Sequence, residues 1–540
     1  MNWTPASPAS RQPVLARNLI ATSQPLAAQA GAAAFARGGN AIDAALAAAI
    51  TLTVVEPTMN GIGGDAFALV WDGGQLHGLN ASGRSPAGWV PERFQGLAAM
   101  PSKGWESVTV PGVVSAWAAL SERFGQLPFE DLFIDALRHA RDGFPVSPVI
   151  ARQWGNACSE FSGQPGFEAF LTKGRAPRTG ELWSFADQAT TLEEIARSRG
   201  ESFYRGRLAQ AIAGFAREHG AALNEQDLAA HHCDWVEPIA LTFRGHTVHE
   251  IPPSGQGIGA LIALGLLEHL PYDATAPGSA ARLHLEVEAM RLAFADLNAH
   301  IADPAFMRVR PEQLLDTAYL RQRAALIDPA KAGRYPAGQP HSGGTVYLCA
   351  ADAQGRMVSF IQSNFKGFGS GVVVPGTGIA LHNRGSGFVT TPGHPNQVGP
   401  AKRPFHTIIP AFMSRDGQPE MAFGVMGGNM QAQGHAQMVL RHVVEGLDPQ
   451  ACCSAPRWRI NDAEVLTLEA ATPAAVVQGL RDLGHQPVVA APDSLDFGSA
   501  QMIVRLPAIT DSDSDGGAAP DVPRYAGGSD PRRDGQAIGC

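Results

Sequence analysis

The chain has 540 residues, 45% hydrophobic and 17% charged, the balance of a folded globular protein with room for a large core. A net charge of −9 over that length argues against nucleic acid or an anionic membrane as the main partner, and no Lys/Arg run interleaved with aromatics occurs. Met1-Asn2-Trp3-Thr4-Pro5 lacks the basic-then-apolar order of a secretory signal, so a cytoplasmic location is expected.

In chain order, Pro25 to Arg37 is Ala-rich and stops at Gly38-Gly39, which predicts a helix. Ala41 to Val54 predicts a second helix, apolar on most faces and therefore buried. The apolar run from Ala41 to Val55 contains Asp43 and is too short to span a bilayer. Asn60-Gly61-Ile62-Gly63-Gly64-Asp65 turns into a strand, Ala66 to Trp71, and Asp72-Gly73-Gly74 predicts a hairpin turn back. Val113 to Phe124 and Phe129 to Asp142 read as helices, the second closing at Gly143 with Pro145 beyond. Short strands from Phe243 lead through a Pro-Pro-Ser-Gly turn to an apolar helix, Ile258 to Leu270, and then to a long helix, Ala280 to Asp303. Leu326 to Ser342 reads as an internal linker, followed by strands at Val346 to Ala350 and Met357 to Gln362. The tail beyond Leu506, rich in Asp, Ser, Gly and Pro, is expected to be disordered.

Several motifs exclude chemistry. The six cysteines show no Cys-x-x-Cys spacing, and Cys452-Cys453 reads as a buried pair of small residues. Asp511 to Gly516 matches half of a calcium loop, but Val522 stands where the bidentate Glu belongs. His231-His232-Cys233-Asp234 lacks a second ligand cluster and reads as a surface turn, so no metal and no cofactor is expected. The glycine runs at 61–64 and 367–371 fit neither dinucleotide nor P-loop spacing, and neither Gly-x-Ser-x-Gly nor His-Glu-x-x-His occurs.

What remains is Thr345, in His341-Ser342-Gly343-Gly344-Thr345-Val346-Tyr347. A threonine hydroxyl is a weak nucleophile without a base in reach, and cutting the bond before it frees its own α-amine for that task. Such an amine has a pKa near ~8, so much of it is unprotonated close to neutral pH. Two preceding glycines suit the strained geometry of the cut. By itself Gly-Gly-Thr is also simply a loop entering a strand.

From about Ala21 to Leu506 the chain resembles the gamma-glutamyltransferase family of N-terminal-nucleophile hydrolases. The resemblance rests on Gly38 to Ala45, Gly61 to Gly64, Val110-Pro111-Gly112, Ala140 to Phe144, Asp227-Leu228 with Trp235 and Glu237-Pro238, and Arg244-Gly245. It continues through Pro252 to Gly255, Gly376 to Ile379, Lys402-Arg403-Pro404 and Gly427-Gly428. It implies an α+β fold, a four-layer αββα sandwich, and self-cleavage between Gly344 and Thr345. The pieces would be 1–344 and 345–506, with 507–540 as the tail, both forming one intertwined domain. That heterodimer can pair further in the family. Thr345 would be the nucleophile and Ser363 its positioning hydroxyl. The amides of Gly427 and Gly428 would form the oxyanion hole, although that pair alone reads as a plain turn.

The substrate side departs from the pattern. Ser82 stands at the family's arginine position, with Arg84 two residues on, and Gly387 replaces the acid that meets a substrate ammonium. The paired serines become His406 and Thr407, and the asparagine past the second hydroxyl is Phe365. Arg384 adds a positive charge, suited to a carboxylate or else to a salt bridge at the surface. The implied activity is hydrolysis of a small carboxylate-bearing amide, as in the oxamate amidohydrolase-like branch. The alternatives are a glutathione hydrolase or transpeptidase using Arg84, a β-lactam-type acylase, and a silent scaffold.

Overall fold

The computed structural model describes residues 11–333, 335, 344–461, 463–507 and 522–540. The calcium-loop half-match at 511–516, and the part of the predicted linker at 334 and 336–342, lie outside them.

Helix α1 (Pro25–Ala36) ends at Gly38, whose φ of +89° is a conformation that L side chains rarely adopt. Asn40 then starts α2 (Ala41–Val55): its side chain accepts the N–H groups of Ile42 and Asp43, and Asp43 accepts the Asn40 N–H in return. Asp43 also takes the N–H groups of Gln126 and Leu127. The Gly-Gly-Asn-Ala-Ile-Asp motif is thus a helix start that anchors a second loop. All of α2 is buried, as its all-round apolarity predicts.

Helix α3 (Val113–Phe124) matches its predicted span. The next prediction opens as a 3-10 turn, Phe129–Phe133, before α4 (Ile134–Asp142). Helix α5 is Gly257–Leu267 and α6 is Ala280–His300, three residues shorter than read because Asp303 caps the turn at Pro304 instead. Helices α7 (Met430–Val439) and α8 (Ala474–Asp482) follow.

Two antiparallel seven-stranded sheets form the centre. Their strands in chain order begin β1 (Val14–Ala16), β2 (Leu19–Thr22), β3 (Asp65–Trp71), β4 (Leu76–Asn80), β5 (Asp234–Val236), β6 (Ile239–Phe243) and β7 (His246–Glu250). They continue with β8 (Gly344–Ala351), β9 (Met357–Phe365), β10 (Ala411–Arg415), β11 (Gln418–Met426), β12 (Ser499–Arg505), β13 (Tyr525–Ser529) and β14 (Gln536–Gly539). One sheet runs β14-β2-β8-β9-β3-β4-β5 and the other β1-β13-β12-β11-β10-β7-β6. Helices α1 and α2 cover the first, α5 and α7 cover the second, and the sheets pack face to face through β8, β9, β11 and β12. The α+β, four-layer expectation holds. Among the described residues no helix is long and apolar enough to cross a membrane.

The disordered-tail expectation fails for residues 522–540. Strand β13 inserts between β1 and β12, and β14 pairs with β2. Tyr525 is buried, and Asp530 is fully buried against Arg457 at 2.6 Å. The Gly-rich composition misled because Gly527 and Gly528 are packing positions: a Cβ there would come within 2.4 Å of Leu19 and of the Pro449 carbonyl.

Candidate active site

Thr345 lies at the start of β8, beside Ser363 of β9, and both are fully buried. Thr345 Oγ donates to Ser363 Oγ at 3.3 Å, and Ser363 Oγ also accepts the Phe365 N–H at 2.7 Å. Gln431 Nε2 donates to Thr345 Oγ at 3.2 Å. The hydroxyl is therefore held from two sides, with its lone pair taken by an amide and its proton directed at a second hydroxyl. Sequence reasoning missed Gln431, in the first turn of a helix that carries no motif of its own.

Gly427 and Gly428 join β11 to α7 with φ of +126° and +61°, so the turn reading of this pair is correct as conformation. Neither N–H donates to a backbone carbonyl among the described residues, which leaves two adjacent amides unspent. Gln256 Nε2 bridges the Gly428 and Thr407 carbonyls at 2.8 and 2.5 Å, tying this turn to the 404–407 segment.

Beside Thr345 and Ser363 lies a buried ionic cluster centred on Asp65, which faces Ser363 across the β3–β9 pairing. Gly63 lets the 381–384 segment approach: a Cβ there would sit 2.3 Å from the Ala380 carbonyl. His382 and Arg384 are thereby delivered to the carboxylate. Asp65 Oδ2 meets His406 Nε2 at 3.0 Å and Arg384 Nε at 3.5 Å, while Oδ1 meets the Gly83 N–H at 3.3 Å and His382 Nε2 at 3.8 Å. Arg384 Nη1 donates to Thr407 Oγ at 3.0 Å, and its guanidinium lies 4.1 Å from the centre of the Phe365 ring. Phe365 itself has φ of +76°, uncommon for a bulky residue.

The surface salt-bridge reading of Arg384 is overturned: the residue is 0% exposed. Burial works against the Asp65 charge, but His382, the His406 hydrogen bond and the Arg384 guanidinium together hold this carboxyl well below the usual carboxylate range. Burial, with Arg384 nearby, pushes His406 down to about 3, so its imidazole is neutral at ordinary pH, and burial also lowers His382. His406 spends its Nε2–H on Asp65, and His382 Nδ1 accepts the Arg384 N–H. Arg384 Nε and Nη2, His382 Nε2 and His406 Nδ1 have no hydrogen-bond partner among the described residues. Gly387 is buried with a virtual Cβ 2.5 Å from the Phe405 carbonyl, so no acid fits there without displacing that backbone. Asp65 and His382 were missed as site residues, although Asp65 closes the glycine turn that the sequence made visible.

Arg84 joins a different group. It is half-buried, 3.9 Å from Asp234, which Arg403 Nη1 also contacts at 2.5 Å. The surface-turn reading of His231 to Asp234 also needs correction: His231 is buried, stacked on Tyr204 and bonded to Ser115 Oγ at 2.9 Å. Cys452 and Cys453 are buried and unpaired, as expected.

The gamma-glutamyltranspeptidase family model matches residues 27–540. A glutathione hydrolase-like YwrD proenzyme of Bacillus subtilis is 34% identical over 97% of this chain and 98% of its own length. An oxamate amidohydrolase proenzyme of Klebsiella pneumoniae is 37% identical over 92% and 96% respectively. The crystal structure of a cephalosporin acylase from Bacillus halodurans superposes with a TM-score of 0.92 at 44% identity, covering 100% of this chain and 99% of that one. With a family model matched over nearly the whole chain and relatives of this kind, the chain belongs to the gamma-glutamyltranspeptidase family and is an amide hydrolase.

Proposed function

We propose that the chain cuts itself between Gly344 and Thr345 and then hydrolyses the amide of a small carboxylate-bearing substrate of the oxamate type. The observation that carries the substrate is the set of buried nitrogen atoms beside Thr345 that make no hydrogen bond among the described residues: Arg384 Nη2, with Arg384 Nε and His382 Nε2 held only at long range by Asp65, 3.5 and 3.8 Å away. Three donors against one bare acceptor, His406 Nδ1, suit an anion. A substrate ammonium would find only Asp65, whose charge Arg384 already balances at 3.5 Å.

In this reading the freed α-amine takes the Thr345 Oγ proton as Oγ attacks the amide carbon. The Gly427 and Gly428 N–H groups receive the developing oxyanion, contributing several kcal/mol (~3 for one such donor). Collapse breaks the C–N bond, and the amine's proton leaves with ammonia. Water then attacks the ester with the same amine as base, releasing the acid and restoring Thr345. Ser363 and Gln431 act as positioning residues.

A second reading, an acylase for a bulkier amide, draws on the 44% identity to the cephalosporin acylase over both full lengths. The complete burial of Thr345 and Arg384 favours the small substrate. Processed protein should release ammonia from oxamate; no release, together with good cleavage of γ-glutamyl anilides or cephalosporin side chains, would reverse the choice. Thr345→Ala should run as one uncut band on a denaturing gel with no detectable activity, whereas the native chain gives two.

A further inference from the structure

Away from the nucleophile, α6 and the turn after α8 bring His284, Glu288 and His485 together, with one ligand atom of each within 4.8 Å of the others. His284 and Glu288 are one helical turn apart on the same face of α6. All three are at least nine-tenths buried, at 0%, 0% and 4% exposure. We propose that these three side chains bind one divalent transition-metal ion of the zinc type, through two imidazole nitrogens and a carboxylate oxygen.

The surrounding bonds are those of a ligand set. His284 Nε2 donates to the Asp328 carbonyl at 2.9 Å, which leaves Nδ1 as a lone pair facing the cluster, the arrangement that orients ligating imidazoles. His485 Nε2 lies 2.7 Å from that Nδ1 and carries the shared proton. Its own Nδ1 has no partner among the described residues. Glu288 Oε2 accepts the Gly333 N–H at 2.7 Å and the Tyr335 hydroxyl at 3.1 Å. Glu288 Oε1 has no hydrogen bond, although Arg291 Nε stands 3.6 Å away. That cation opposes a metal charge and favours an ion held by strong nitrogen bonds over calcium or magnesium. On binding, the proton between the imidazoles moves to His485 Nδ1, and the two nitrogens part to roughly 3.3 Å, as ~2.0 Å bonds to a tetrahedral ion require. The ion would join residues on either side of position 344.

Cobalt(II) titration of the full-length metal-stripped protein tests this without reference to amide hydrolysis. One ion per chain with visible ligand-field bands is expected, displaced by zinc(II). His485→Gln should abolish the bands, and Glu288→Gln should weaken binding at least tenfold, both with unchanged circular dichroism. Absence of stoichiometric binding, or the same spectrum and affinity in both variants, would overturn the site; the latter would mark adventitious surface histidines. Should either variant misfold, a zinc-induced rise in the native protein's melting temperature is still required, and its absence would equally reject the proposal.

Discussion

Two fully buried Asp–Arg pairs in this molecule, Asp530 with Arg457 and Asp65 with Arg384, treat their valences differently. At the C-terminal segment, Asp530 takes Arg457 at 2.6 Å, the Ala500 N–H at 2.7 Å and Arg532 at 3.1 Å, while Arg532 also grips Glu469 at 2.6 Å. In that group only Arg457 Nε is without a hydrogen bond among the described residues. Around Asp65 the pairing is looser, with Arg384 at 3.5 Å, and four nitrogen atoms of three side chains stand open. Open polar atoms in a dry interior are costly unless something completes them. The first group is a rivet; the second is arranged for a guest.

Breaking the rivet should give the larger effect. Asp530→Asn leaves the Arg457 charge uncompensated and should lower unfolding free energy by about 3–5 kcal/mol, read by denaturant titration, with activity per folded molecule unchanged. An equal loss from Arg384→Lys would erase the distinction. That substitution keeps a charge beside Asp65 but removes the fork, so kcat/KM for a carboxylate amide should fall about 100-fold, near 3 kcal/mol, with little shift in Tm. Glu56 sharpens the contrast as a buried carboxylate with no ion pair among the described residues, Arg533 acting on it only from further away: Ser23 donates to one oxygen at 2.5 Å and the other has no hydrogen-bond partner among the described residues. Burial pushes its pKa from 4.5 up to about 7. Between those values the folded state keeps a proton that the unfolded chain has lost, so this group's contribution is fully present below pH 4.5 and fades as pH rises through about 7. Glu56→Gln should flatten that slope and raise stability above pH 7 by about 2–3 kcal/mol, measured by melting across the pH range.

Much of this was legible in the chain and the remainder had reasons to be hidden. The helix at 25–36 announced itself through its Ala-rich run and glycine stop, that at 41–55 through its all-round apolarity, and that at 113–124 matched its predicted span. Thr345 and Ser363 lie within hydrogen-bond reach of each other, and Gly427-Gly428 forms the turn that its glycines suggested. Gln431 and His382 stayed invisible because their positions follow from how β8, β9 and the 381–384 segment meet, which no local pattern encodes. The strands at 525–529 and 536–539 were obscured by Gly, Asp and Arg, residues that read as solvated until Arg457 and Glu469 are seen to receive them.

The order of strands within each sheet carries one more consequence. Segments preceding position 344 alternate with segments following it: β2 lies between β14 and β8, β9 abuts β3, β10 abuts β7, and β13 abuts β1. If the chain is cut before Thr345 as proposed, the cut therefore acts on an assembled object, and its two products would be interlaced like the fingers of folded hands. Separately produced fragments would each carry unsealed sheet edges, so mixing them should yield aggregates in place of a working enzyme.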